Sequence, residues 1–166
     1  MSKMNKSLIK CKKEPNDIIY TPSELVKDCL KLVPIVPTDI LLDPFLGDGA
    51  FYNQYPKDNV KDWCEIQKDR DFFKYNKKVD WIVSNPPFSK LNDVLDHCCL
   101  ITNKGFGLIM LCYALTLPRI NRMREKGYKI TNLMWFNVKN WFGFLCVFVV
   151  FSKEGDDFFK VQPKLY

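Results

Sequence analysis

The sequence predicts an α/β fold: a mainly parallel sheet that closes in a C-terminal antiparallel hairpin. Three observations predict it. Short apolar runs alternate along the chain with segments of helical periodicity, the pattern of strand–crossover–strand units. The early runs are continuously apolar, as strands buried on both faces must be. The last two runs follow each other with no helical segment between them, which suits a hairpin rather than a crossover. The 166 residues are one domain's worth of chain and can bury a core that needs no staples.

The elements follow in order. Residues 1–17 are lysine-rich and aperiodic and read as a basic N-terminal arm, with a single domain over 18–166. Thr21-Pro22-Ser23-Glu24 spells a helix start, with threonine at the N-cap, proline at N1 and glutamate at N3. Leu25, Val26, Cys29, Leu30 and Val33 then share one helical face, and Pro34 and Pro37 end it. Ile40-Leu41-Leu42 is a buried strand running into the glycine turn Asp43 to Gly49, after which Ala50-Phe51-Tyr52 can form a short helix. Lys61 to Cys64 is a second strand ending at Glu65, and Val79 to Val83 a third running into Ser84-Asn85-Pro86-Pro87-Phe88. Ser89 caps a helix that carries Leu91, Val94, Leu95 and Cys98 on one face. Phe106 to Cys112 is a fourth strand, and Arg119 to Lys126 a helix or basic loop ended by Gly127. Leu133 to Val138 and Phe144 to Phe151 make the closing hairpin.

Composition narrows the class. Hydrophobic residues make up 47% and charged residues 27%, which is globular and not disordered. The net charge of +6 suits an anionic partner, although lysine supplies nearly all of it. Seven cysteines show no C-x-x-C spacing and His97 is the only histidine, so no metal site is expected and the thiols read as small apolar side chains. No apolar leader opens the chain, and the longest apolar stretch, Phe142 to Phe151, is half of what a membrane helix needs. The expectation is a cytoplasmic chain with no membrane contact.

Chemistry concentrates at the strand ends. Asp43 closes the first strand, and the glycines at 47 and 49 let backbone approach a ligand above the carboxyl edge of a sheet. The turn lacks the lysine of a phosphate-binding loop, and Asp43 would repel phosphate but hold a cationic amino group. Glu65, about twenty residues on, stands where a carboxylate reaches ribose hydroxyls. Asp71-Phe72 pairs an acceptor for an adenine amine with a ring face. In Ser84-Asn85-Pro86-Pro87-Phe88 the prolines fix the backbone and remove donors. The Asn85 side-chain oxygen and the Pro86 carbonyl then form two acceptors for one NH2 group, beside the flat face of Phe88. Each acid could equally be a solvated surface charge, and the prolines could merely end a strand.

Asp43-Pro44-Phe45-Leu46-Gly47-Asp48-Gly49 resembles the D-P-F-x-G-x-G motif of class I S-adenosylmethionine-dependent N6-adenine DNA methyltransferases, and Asn85-Pro86-Pro87-Phe88 resembles their N-P-P-[YF] motif. Tyr20-Thr21-Pro22 is similar to the opening of the helix that closes over the cofactor in that family. The resemblance covers roughly residues 18–151 and implies a Rossmann-like three-layer methyltransferase sheet with S-adenosyl-L-methionine as cofactor. By position it implies that Tyr20, Thr21, Asp43, Phe45, Gly47, Gly49, Glu65, Asp71 and Phe72 hold that cofactor. Asn85, Pro86, Pro87 and Phe88 would then be catalytic, with Phe88 stacked on the target base. Trp141-Phe142 could match a second aromatic near that base, or simply pack in the core.

The implied reaction is methylation of the N6 amine of adenine, in DNA ahead of RNA. Two acceptors on that amine favour a tetrahedral nitrogen, and no histidine base is needed. The alternatives are the same chemistry on an RNA base or a protein glutamine amide, and a non-catalytic methyltransferase-like subunit. Arg119, Arg122 and Arg124 could track nucleic-acid phosphates, or form a solvated helix face. Only Ser152 to Tyr166 follow the last strand, and Asp71 to Asp80 leave no room for an inserted target-recognition domain. The expectation is therefore loose specificity, or a separate specificity subunit or homodimer.

Overall fold

The computed structural model describes residues 21–139, 141 and 143–159. The readings of the 1–17 arm, of Tyr20 and of Phe142 lie outside the described residues. Six strands form one sheet: β1 (Ile40–Asp43), β2 (Val60–Trp63), β3 (Val79–Ser84), β4 (Thr102–Leu111), β5 (Lys129–Phe136) and β6 (Cys146–Ser152). Their order is β2-β1-β3-β4-β6-β5. The first four pair with one another in parallel, while β6 runs antiparallel to both β4 and β5. The C-terminal hairpin therefore inserts its second strand next to β4 and leaves β5 at the edge.

Among the described residues three helices accompany the sheet: α1 (Ser23–Lys31), α2 (Leu91–Ile101) and α3 (Leu117–Glu125). Val26 and Cys29 of α1, with Phe51 and Tyr55, pack on the face that carries Leu41, Trp81, Val83, Ile109 and Phe148. Leu91, Val94 and Cys98 of α2, with Ile120 and Met123 of α3, pack on the face that carries Leu42, Ile82, Phe106, Leu108 and Val149. Neighbouring residues Leu41 and Leu42 thus point into different layers, which is why the run must be apolar throughout. The six described cysteines are free, and Cys29, Cys64, Cys98 and Cys146 are buried in the core as small apolar groups. No helix among the described residues is long and apolar enough to cross a membrane.

Several local expectations are corrected. Thr21 does not cap α1; Pro22 occupies the N-cap position, and Val26 N–H bonds to the Pro22 carbonyl at 3.1 Å. Ser89 does not cap α2 either, because Lys90 N–H closes on the Pro87 carbonyl and a 3-10 turn at Phe88–Lys90 leads into the helix. The strands β4 and β5 both begin four residues earlier than apolarity suggests. Their polar openings are held by pairing, Val79 with Thr102 and Lys129 with Ser152. The segment between β1 and β2 holds only a 3-10 turn, Tyr52–Gln54, shifted from the expected 50–52.

Candidate functional site

The carboxyl ends of β1, β2 and β3 lie side by side, and each delivers one acid or amide to the same edge. Asp43 ends β1 and is 1% exposed. Its Oδ1 accepts from Ser84 Oγ at 2.6 Å and from Phe45 N–H at 3.3 Å, and its Oδ2 from Tyr52 N–H at 3.2 Å. Burial pushes this carboxyl up to about 6, against the downward pull of the Ser84, Phe45 and Tyr52 hydrogen bonds. Ser84, the last residue of β3, thus ties the first turn to the segment that follows it.

The turn after Asp43 depends on its glycines. Gly47 has φ +52° and Gly49 φ +85°, both in the region that disfavours side chains. At Gly49 a Cβ would also stand 2.7 Å from Asn53 Nδ2. Gly47 N–H donates to Glu65 Oε2 at 2.9 Å, and Gln67 N–H to Glu65 Oε1 at 3.3 Å. Each oxygen keeps a second lone pair, so Glu65 can still accept from two hydroxyls. Its own backbone is set by a small antiparallel bridge to Arg70, turned by Asp69 at φ +57°. Arg70 in turn stacks 4.0 Å from the Trp63 ring centre and pairs with Asp62.

Between these loops lies a cavity of about 230 Å³ lined by Pro44, Phe45, Glu65, Ile66, Asp71, Phe72, Phe73, Pro87 and Lys90. Phe45 meets Phe72 edge-on at 5.2 Å, and His97 supports Phe72 from behind at 4.6 Å. Asp71 Oδ1 accepts from Phe73 N–H at 3.0 Å, which holds the carboxylate at the rim. The cavity is apolar in its walls and acidic at two points, a shape that takes a flat ring with a hydroxylated appendage. A larger, more open depression of about 640 Å³ lies along the outer side of α2, near Asp93, Asp96 and Lys126. None of the residues expected to bind or catalyse lines it.

Asn85 follows directly on β3. Its Nδ2 donates to Thr21 Oγ1 at 3.4 Å, while its Oδ1 is buried and accepts no hydrogen bond among the described residues. A buried acceptor of this kind is costly unless a ligand completes it. Pro86 is buried, Pro87 is exposed and lines the cavity, and Phe88 is half-buried against the core layer beneath α1. Phe88 is therefore not among the walls of the cavity that Pro87 borders.

The structure thus brings Thr21, Asp43, Phe45, Gly47, Glu65, Asp71, Phe72, Asn85 and Pro87 to one edge of the sheet. It treats the α3 arginines differently. Arg119 donates to Asn92 Oδ1 at 2.8 Å and to the Ala114 carbonyl at 2.6 Å, Arg122 pairs with Asp96, and Arg124 donates to Asp157 Oδ2 at 2.8 Å and to the Phe159 carbonyl. All three hold internal partners. Four contributors have no role assigned from the sequence: Ser84, Ile66, Lys90 and Tyr55. Tyr55, 2% exposed, places its hydroxyl 3.0 Å from the Leu42 carbonyl and 2.6 Å from that of Val83. Ile66, 65% exposed directly after an acid that ends a strand, was the one with a readable signal.

No family model matches the chain, and no curated protein matches it. Solved structures do. A candidate RNA methyltransferase from Pyrococcus horikoshii superposes with a TM-score of 0.67 at 16% identity, over 80% of this chain and 85% of that one. Magnesium protoporphyrin IX methyltransferase from Synechocystis PCC 6803, with bound SAM, gives 0.63 at 10% identity over 80% and 79%. TYW2 of M. jannaschii, in complex with AdoMet, gives 0.53 at 15% identity over 82% and 78%. The fold is the Rossmann-like methyltransferase sheet, mostly parallel with an antiparallel C-terminal hairpin.

Proposed function

We propose that the chain is an S-adenosyl-L-methionine-dependent methyltransferase whose acceptor is the N6 amine of adenine, in DNA ahead of RNA. The observation that carries this reading is Asn85 Oδ1, a buried acceptor with no partner among the described residues, two positions before Pro87, which lines the cavity at the carboxyl ends of β1, β2 and β3. Cofactor-bound neighbours of the same fold support the choice of cofactor.

The residues present fit that cofactor. Glu65 keeps two lone pairs for the ribose hydroxyls, Asp71 stands at the rim for the adenine amine, and Ile66, Phe45 and Phe72 supply apolar walls. Asp43 and the Gly47–Gly49 turn suit the methionine end, where a cation meets a carboxylate. Bound there, the cofactor supplies an electrophilic methyl on sulfur. The chain's own part is orientation. Asn85 Oδ1 and the Pro86 carbonyl accept the two amine hydrogens, draw the nitrogen toward tetrahedral geometry and aim its lone pair. On a duplex the base must first leave the stack, at a cost of a few kcal/mol.

The net charge of +6 supports a polyanionic acceptor. Arg119, Arg122 and Arg124 would meet phosphates by exchanging the internal partners they now hold, and a specificity subunit or a second copy remains the proposed source of sequence selection. The test is transfer of labelled methyl from the cofactor to DNA, RNA and protein, with the product nucleoside or residue identified by mass. N6-methyladenine in DNA is the expected product. Label in RNA or in glutamine moves the acceptor while keeping the chemistry; no transfer to any acceptor, with no calorimetric cofactor binding, overturns the reading. Replacing Asn85 by Ala is expected to lower turnover at least about a hundredfold, with cofactor affinity changed by less than about threefold.

A further inference from the structure

We propose that Thr21 is the positioning residue of Asn85: its hydroxyl holds the side-chain amide in place at the start of the Asn85–Phe88 segment. This rests on the preceding reading of Asn85. Thr21 and Asn85 are 64 positions apart, yet Asn85 Nδ2 donates to Thr21 Oγ1 at 3.4 Å. Thr21 is 8% exposed although it stands at the start of a surface helix. Its hydroxyl does not cap the helix, because Pro22 and not Thr21 occupies the N-cap position.

The chemistry follows from the shape of a primary amide. Its oxygen and nitrogen lie in one rigid plane, so a partner held on one of them fixes the position of the other. Asn85 Oδ1 is buried with no partner among the described residues, so the bond to Thr21 is what fixes the plane and place of the amide there. Pro22 adds rigidity, because its ring fixes the backbone next to Thr21. The helix start therefore positions the acceptor side chain as well as bordering it.

The experiment uses the full chain with Thr21→Val, which keeps the branched shape and removes the hydroxyl, Thr21→Ala as a second deletion, and Thr21→Ser, which restores the oxygen. Two readouts are taken. The first is the side-chain amide cross-peak of Asn85 in a nitrogen–proton spectrum, identified by its loss in Asn85→Asp. The second is kcat and acceptor KM at saturating cofactor. In Thr21→Val and Thr21→Ala the Asn85 cross-peak shifts and its protons exchange faster, and kcat falls about tenfold or more. Thr21→Ser recovers most of both. An unchanged Asn85 cross-peak in Thr21→Val, or unchanged kcat, overturns the proposal. If the wild-type chain transfers methyl to no acceptor, the proposed function fails separately, and the cross-peak alone decides whether Thr21 holds the amide.

Discussion

At Asp43 a carboxylate is enclosed at 1% exposure and burial lifts its titration to about 6 from an ordinary 3.8. The fold thus favours the protonated form. Its contribution to the stability of the ligand-free chain is fully present below pH 3.8 and is lost as pH rises through about 6. A cationic ligand group beside it needs the opposite, the ionised form. Cofactor affinity measured by calorimetry is therefore expected to hold from pH 8 to 7. It should then fall below about pH 6, approaching about tenfold per unit. An affinity that is flat from pH 8 to 5 removes Asp43 from contact with the ligand's cation. The same residue shows what a sequence can and cannot say. That Asp43 ends a strand and opens a glycine turn is legible from its neighbours, whereas its bond to Ser84 Oγ spans 41 positions and has no local signature.

Between elements, the site depends on how β1 and β3 part. Their paired register ends at Leu42 with Ile82, and the Tyr55 hydroxyl lies between the carbonyls of Leu42 and Val83 just beyond it. The segment between β1 and β2, which carries no α-helix, thus supplies a polar wedge whose one hydroxyl hydrogen is shared between the two strand ends. Replacing Tyr55 by Phe keeps the ring and removes the donor. The expected cost is about 1–3 kcal/mol, read as a lower denaturant midpoint at unchanged slope. A midpoint equal to wild type means the carbonyls are satisfied without it. The element map itself was largely legible, because apolar runs and helical spacing are local signals. The two expected caps fail for separate reasons: Pro22 takes the N-cap position of α1, and the tight turn Phe88–Lys90 leads into α2.

Across the whole molecule, the two ends of the sheet carry different tasks. The carboxyl end gathers Asp43, Glu65 and Asn85. The amino end holds a polar clasp, in which Lys104 Nζ donates to the buried Asp39 Oδ1 at 2.6 Å and Asp39 Oδ2 accepts from Val36 N–H at 2.9 Å. Asn59 Nδ2 closes the clasp on the Val36 and Asp39 carbonyls at 2.7 and 2.9 Å. Replacing Asp39 by Ala is expected to cost about 2 kcal/mol of stability, seen in chemical denaturation. Cofactor affinity in the folded variant should stay at the wild-type value; a matching loss of affinity would show that the two ends are coupled. The sequence by itself determined the strand and helix segments, the glycine turn and the proline-fixed loop, since backbone sterics and hydrophobic period act over a few residues. Only the tertiary structure decided that β6 enters beside β4. It alone set the Tyr55 hydroxyl between two strand ends and an internal partner on each α3 arginine. Those outcomes are choices among distant surfaces, fixed by packing and hydrogen-bond satisfaction, which residues near in the chain do not encode.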